Sequence, residues 1–253
     1  MNIITVDSTN IDAEHICCAI ASKKSDTRAE LKKDWLKQRF ADGLVFKKLN
    51  VRGKVFIEYI PAEKAFAPIT APNYMYINCL WVSGKYKGQG HASRLLNECI
   101  KDAKAKGKSG LVALSSSKKK PFLSDPKFYK KKGFIVGDTA SPYYELLYLP
   151  FKESKPPCFN DCVKKQQKIG SGVVVYYSNQ CPHTEMYVNI IKEIAHKEHV
   201  RFTDVKLNTY EQAKICPNPF TTYAIFFNGK FETNEILTAK KFNQLLIKYN
   251  MTE

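Results

Sequence analysis

The chain lacks the features that mark membrane, fibrous or disordered proteins. No run of its 253 residues approaches the roughly 18 apolar residues that a membrane-spanning helix needs. With 12 glycines, 12 prolines and 44% hydrophobic residues, it is neither collagen-like nor low in complexity. Its first residues show no basic segment followed by an apolar run, so we expect no secretion signal. The remaining class is a globular chain long enough for two domains, with no membrane partner.

The eight cysteines do not have the spacing of a disulfide framework. Cys79 and Cys99 fall inside apolar segments, where a cysteine acts as a small hydrophobic residue. Cys158 and Cys162 are four residues apart, but no histidine or second cysteine pair completes a zinc site, so we expect no metal. This pattern favours a reducing, cytoplasmic location.

Negative charge is in short supply. The chain has 40 Lys and Arg against 24 Asp and Glu, for a net charge of +16. A surplus of this size attracts polyanions. Since no basic stripe with interleaved aromatic residues is present, a nucleic-acid partner stays open but is not favoured. The sequence does not predict an oligomeric state.

One segment carries most of the functional information. An apolar strand that ends at Leu80, Trp81 and Val82 runs into a glycine-rich turn, and a helix follows. The turn reads Lys87-Gly88-Gln89-Gly90-His91-Ala92-Ser93. Glycines let an anion approach the main chain, and the first amides of a helix present unpaired donors, so this pattern is typical of a pyrophosphate site. The alternatives are a structural tight turn and a Rossmann site, and the latter needs a third glycine and an acidic residue that are not in register.

A second segment, Asp125–Gly137, contains the run Phe128-Tyr129 followed by Gly133-Phe134. In this order the two segments resemble the signature of the GNAT superfamily of N-acyltransferases, although Lys87 stands where that family has Arg or Gln. The resemblance implies acetyl-CoA as cosubstrate, bound by Leu80, Trp81, Val82 and residues 87–93. It also implies direct attack of an amine on the thioester, with a main-chain amide near residues 80–82 stabilising the oxyanion. Tyr129 would then be the general acid that protonates the departing thiolate.

The general base is not fixed by the sequence. Glu58 and Glu145 are weak candidates, alongside Glu63, His91 or a chain of water molecules. The acceptor is equally open, because nothing in the sequence distinguishes an amine-bearing small molecule from a peptide.

The element pattern predicts an α/β (α+β) chain with two domains. A GNAT fold with a mixed central sheet is expected over residues 1–150, and a linker with a short helix over 151–171. The predicted strands of the first domain cover residues 3–7, 44–49, 54–60, 74–82, 110–115, 133–138 and 143–149. Its first helices are predicted at residues 11–21 and 27–40.

Residues 172–253 predict a smaller βαβαββα domain that is thioredoxin-like and resembles the YoaP-like domain. Cys181 is expected to begin a helix, which would favour its thiolate and make it a candidate thiol site. Thr184 occupies the place of a second cysteine, and Cys216 is the candidate resolving thiol.

The sequence as a whole is compatible with three functions. The first is an acetyl-CoA-dependent N-acetyltransferase whose C-terminal domain assists acceptor binding; the alternatives are a thiol redox protein that uses Cys181 and an acetylase of a nucleic-acid-linked amine.

Overall fold

The computed structural model describes residues 1–16, 27–165 and 169–251. Contacts divide the chain into two compact units. The first comprises Met1–Ala65 and Ile69–Asn160, and the second comprises Phe66–Pro68 and Asp161–Glu253. Within the described ranges, no helix is long and apolar enough to cross a membrane.

The first unit is built on a seven-stranded mixed sheet. Its elements in chain order are β1 (Ile3–Val6), α1 (Arg28–Phe40), β2 (Val45–Leu49), β3 (Val55–Pro61), β4 (Ile69–Thr70), β5 (Tyr74–Val82), α2 (His91–Ala105), β6 (Gly110–Ser116), α3 (Pro126–Lys131), β7 (Ile135–Ala140), β8 (Tyr144–Pro150) and β9 (Cys158–Phe159). The strand order is β1-β2-β3-β5-β6-β8-β7. Neighbours are antiparallel except β5 and β6, which run parallel.

The two faces of this sheet differ because strand side chains alternate. Val55, Ile57 and Tyr59 of β3 join the core that α2 and α3 cover. The intervening Glu58 points to the opposite face, where Lys32 of α1 meets it. Helices therefore cover both faces of the sheet, and α2 and α1 lie on opposite sides of β3.

The predicted strands of this unit are all present, with ends shifted by at most two residues. β4 and β9, which pair with each other, were not predicted, since two-residue strands carry no periodic signal. The predicted helix at 11–21 fails over 11–14, which form turns, and residues 17–21 lie outside the described ranges.

A buried hydrogen bond fixes α2 on the sheet. The Tyr59 hydroxyl donates to Asp102, whose carboxylate also pairs with Lys47 at 3.1 Å. Burial raises the pKa of Tyr59, and the bond to Asp102 raises it further. We expect Tyr59→Phe to lower the free energy of unfolding by about 1–3 kcal/mol, because it removes a bond to a charged group. Urea denaturation of the variant measures this loss, and an unchanged midpoint would contradict it.

The second unit has a four-stranded sheet in the order β11-β10-β12-β13. Its elements are α4 (Asp161–Lys164), β10 (Val173–Tyr177), α5 (Thr184–Lys197), β11 (Phe202–Lys206), α6 (Tyr210–Lys214), β12 (Tyr223–Phe227), β13 (Lys230–Thr233) and α7 (Ala239–Lys248). From β10 onward they follow the predicted order βαβαββα. Asn228 and Gly229 both have positive φ in the β12–β13 hairpin, as their sequence indicates.

The predicted start of α5 at Cys181 was wrong by three residues. The helix begins at Thr184, and Cys181 lies in the preceding turn, where its carbonyl accepts a bond from the Thr184 amide at 3.3 Å. The cause is Pro182, which disfavours helical backbone at the residue before it.

Candidate active site

The central strands of the first unit separate at a defined point. β5 pairs with β6 only from Tyr74↔Gly110 to Ile77↔Ala113. Beyond this ladder, β6 continues to Ser116 beside β8, and β5 continues to Val82 beside β3. Among the described strands, none pairs with the β6-facing edge of residues 78–82, and this is the segment expected to supply the oxyanion amide.

A bulge in β5 lies where this separation begins. Opposite β3 the register shifts, so that Glu58 faces Cys79 while Tyr59 faces Ile77, leaving Asn78 as the extra residue. A bulge bends its strand and re-aims the residues that follow. Met75 and Ile77 point to the α2 core before the bulge, and Leu80 and Val82 pack against that core after it. Trp81 is 45% exposed.

The turn after β5 has the backbone that the glycines predict. Gly88 and Gly90 have φ of 78° and 77°, and a Cβ at either position would meet nothing within 4 Å. Gly90 is the N-cap of α2 and provides no side-chain cap. The first internal bond of the helix runs from the Arg94 amide to the Gly90 carbonyl, so the amides of residues 91–93 precede it. An uncapped 15-residue helix beside two open glycines fits a diphosphate.

Side chains of the same turn hold its shape. The Gln89 amide donates to the Lys85 carbonyl at 2.6 Å. The His91 ring is 7% exposed and packs edge-on against Tyr86 at 6.1 Å, with Nε2 lying 3.3 Å from Gln89 Oε1. Lys87 is exposed. The His91 ring thus packs within the turn, while its amide lies among the donors.

Tyr129 is enclosed in the core beneath α2. It is 2% exposed, and the Phe128 and Phe134 rings contact it edge-on at 5.4 and 4.9 Å. Its buried hydroxyl has no hydrogen-bond partner of ordinary geometry within the described ranges. Burial raises the pKa of Tyr129 well above its usual value, and the nearby Ser124 side chain offsets part of that shift. The hydroxyl therefore stays protonated at neutral pH and has a hydrogen bond left to donate.

The carboxylates considered as general bases are engaged elsewhere. Glu58 pairs with Lys32 at 2.6 Å, and both side chains are 1% exposed. Glu145 pairs with Lys130 of α3 at 2.8 Å, and Glu63 accepts the Asn73 amide at 2.6 Å. Sequence reasoning did not select Lys32 or Asn78; the available signal was a polar Asn78 inside an otherwise apolar strand.

In the second unit, the candidate thiols differ in access. Cys181 is partly exposed, whereas Cys216 is 2% exposed. Burial raises the pKa of Cys216 to about 12, which disfavours it as a resolving thiol. The Thr184 hydroxyl, one turn after Cys181, is buried and makes no hydrogen bond inside the part of the chain that the structure covers. Over that same part, no group of three or more His, Cys, Asp or Glu side chains has the arrangement of a metal site.

Two known protein families match the chain. Residues 11–134 match the acetyltransferase (GNAT) family, and residues 202–244 match the YoaP-like family. The chain is 44% identical over 247 residues to the "Uncharacterized N-acetyltransferase YoaP" of Bacillus subtilis strain 168, covering 97% of this chain and 98% of that protein.

Solved structures also resemble the chain at low identity. The PaiA N-acetyltransferase of Thermoplasma acidophilum is 17% identical, with a TM-score of 0.43, over 60% of this chain and 100% of its own. The ribosomal-protein-S18-alanine N-acetyltransferase of Escherichia coli is 15% identical, with a TM-score of 0.40, over 60% and 95%.

The chain belongs to the GNAT family of acetyltransferases, in a two-part form that it shares over nearly its whole length with the Bacillus subtilis YoaP protein. It is an N-acetyltransferase that uses acetyl-CoA as cosubstrate and an amine as acceptor.

Proposed function

We propose that the first unit binds acetyl-CoA between the N-terminus of α2 and the separated edge of β5, and transfers its acetyl group directly to an amine. The observation that carries this proposal is the turn at Gly88 and Gly90, whose left-handed backbone has open space at both Cβ positions and leads directly into the amides of residues 91–93. These amides lie at the positive end of a helix, where a diphosphate is stabilised. Lys87 adds an exposed positive charge to the same turn.

We assign each remaining role to a group of the same unit. Bound acetyl-CoA supplies the activated acetyl thioester. An amide of residues 80–82, at the edge that β6 leaves open, donates to the developing oxyanion. The Tyr129 hydroxyl, which is neutral and has its proton available, donates to the departing sulfur. Because Glu58, Glu63 and Glu145 are held by other groups, we assign removal of the amine proton to water rather than to these carboxylates.

Calorimetric titration of the full chain with acetyl-CoA tests the donor site. We expect one site with a micromolar dissociation constant, followed by acetyl transfer when a panel of small amines and peptides is offered. A titration without heat at millimolar acetyl-CoA would refute the proposal. The panel also decides between a small-molecule and a peptide acceptor.

For the second unit, we propose a supporting role in acceptor binding on the thioredoxin-like scaffold that its sequence predicts. A second candidate function is thiol chemistry at Cys181, which is favoured by the buried Thr184 hydroxyl one turn away, a group that makes no hydrogen bond to any described residue. Cys181→Ser in the full chain separates the two, since it would abolish a thiol activity and leave acetyl transfer intact.

Alkylation provides a direct test of thiol access. With iodoacetamide at pH 8, we expect Cys181 to be modified well before Cys216, because a thiol of pKa about 12 has roughly one thiolate in ten thousand molecules at that pH. Mass spectrometry of the quenched protein gives the two rates. Comparable rates would contradict the burial of Cys216.

Two further proposals rest on composition. An acceptor linked to nucleic acid would use the net charge of +16, and its binding would weaken steeply with salt. A flat salt dependence would exclude it. We also propose a cytoplasmic location, where buried thiols such as Cys99 and Cys216 stay reduced.

A further inference from the structure

Three polar side chains connect α1 to the bulge of β5: Lys32 and Glu58 are buried, and Asn78 is partly buried. The Lys32 ammonium lies 2.6 Å from Glu58 Oε2. Glu58 Oε1 accepts a hydrogen bond from the side-chain amide of Asn78 at 2.8 Å. Lys32 also lies 4.1 Å from the centroid of the Trp35 ring, one turn further along α1. Both carboxylate oxygens of Glu58 therefore have a partner, and the Lys32 and Glu58 side chains are each 1% exposed.

Stability alone is a poor explanation for this arrangement. Withdrawing two charges from water costs about as much as their attraction returns, and apolar residues of similar volume are often as stable in such places. What an apolar replacement cannot do is accept the Asn78 hydrogen bond. The Lys32 ammonium offsets the energetic cost of burying the Glu58 carboxylate. The carboxylate in turn orients the Asn78 side chain.

Asn78 is the extra residue at the point where β5 leaves β6. The ladder to β6 ends at Ile77, one residue earlier. Before the bulge, the odd-numbered residues Met75 and Ile77 face the α2 core. After it, the even-numbered residues Leu80 and Val82 face that core, so the extra residue reverses which side chains point inward. The orientation of Asn78 therefore decides which backbone groups of residues 78–82 face the opening.

We propose that Glu58, with Lys32 as its counter-charge, is a positioning residue that fixes the bulge and so sets the strand edge that receives the acyl end of acetyl-CoA. This inference rests on the donor site proposed above. It gives Glu58 a role other than general base, and it assigns Lys32 and Asn78 to the same function.

Two double variants separate the hydrogen bond from the charges. Lys32→Met with Glu58→Gln removes both charges but keeps a carbonyl oxygen for Asn78. Lys32→Met with Glu58→Leu removes the charges and that oxygen as well. The two variants have nearly equal side-chain volumes at position 58, so each is the control for the other.

Binding of two ligands is measured by calorimetry on each full-length variant. The first ligand is acetyl-CoA, and the second is 3′-phosphoadenosine 5′-diphosphate, which has the nucleotide and diphosphate of coenzyme A but no acyl arm. We expect the Gln variant to bind acetyl-CoA within about threefold of wild type and the Leu variant to bind it about tenfold more weakly, the loss that one hydrogen bond explains. Both should bind the nucleotide as wild type does, because the amides of residues 91–93 are unchanged.

Each other result overturns the inference. Equal affinity of the two variants for acetyl-CoA would show that the Asn78 bond does not position the strand. An equal loss for both ligands would indicate general damage to the fold. If the Leu variant does not fold, Asn78→Ala removes the same bond from the other side and carries the same expectation. Failure of the wild type to bind acetyl-CoA would refute the proposed function itself, which distinguishes it from failure of this inference alone.

Discussion

Replacing Gly90 with glutamate is expected to weaken acetyl-CoA binding by at least about a hundredfold. The new carboxylate would stand beside the amides of residues 91–93, where the diphosphate is proposed to bind. Two like charges about 4 Å apart near a protein surface repel by roughly 4 kcal/mol, which exceeds the 2.7 kcal/mol or so of a hundredfold loss. Calorimetry with acetyl-CoA measures the effect.

Gly107 provides a matched control at the other end of the same helix. It also has a positive φ, of 65°, and open space around a Cβ position. Gly107→Glu therefore has the same backbone strain, about 1–2 kcal/mol, without a carboxylate at the helix N-terminus. Gly90→Asn is a second control, because it adds a side chain at position 90 without a charge. Asparagine tolerates the left-handed backbone of this position. If Gly107→Glu weakened binding as much as Gly90→Glu, the site would not lie at the N-terminus of α2.

Replacing Tyr129 with phenylalanine is expected to reduce kcat for acetyl transfer by about a hundredfold, the usual contribution of a positioned proton donor. The dissociation constant for acetyl-CoA should change little. Because the buried hydroxyl makes no hydrogen bond of ordinary geometry within the described ranges, the variant should be as stable as wild type, or more stable by up to about 1 kcal/mol. Single-turnover rates with the acceptor found by screening, and thermal denaturation, give the two quantities.

Tyr59→Phe is the natural comparison for this variant. Both tyrosines are fully buried, but the Tyr59 hydroxyl bonds to Asp102. The two substitutions should therefore have opposite profiles: Tyr59→Phe lowers stability and spares kcat, while Tyr129→Phe spares stability and lowers kcat. A Tyr129→Phe enzyme with unchanged kcat would remove the hydroxyl from the mechanism.

Local sequence signals predicted the parts of the fold that short segments determine. The glycine-rich turn predicted before α2 is present, and Gly88 and Gly90 both have a positive φ in it. Richness in β-branched and aromatic residues predicted Tyr74–Val82 as a strand with both ends correct. The periodic apolar face of α2 predicted the helix that follows the turn.

Features that depend on distant residues were not predicted. Lys32 and Glu58 are 26 residues apart and meet only because α1 packs across β3. In the sequence, Glu58 therefore had the appearance of a candidate base, and nothing indicated its buried counter-charge. The bulge at Asn78 was missed for a related reason, since it shows only in the register with β3. The pairing partner of a strand, rather than the strand itself, sets which side chains share a face.

The short ladder between β5 and β6 has a mechanical consequence. Only four residue pairs, Tyr74↔Gly110 to Ile77↔Ala113, connect the strands β1, β2, β3 and β5 to the strands β6, β8 and β7. The sheet thus consists of two halves joined at one end, with α2 packed over the junction. A small rotation about those four pairs can widen the distance between the separated ends of β5 and β6. No hydrogen bond within either half of the sheet has to break. We therefore expect the width of this opening to vary more easily than the distances between the strands within either half.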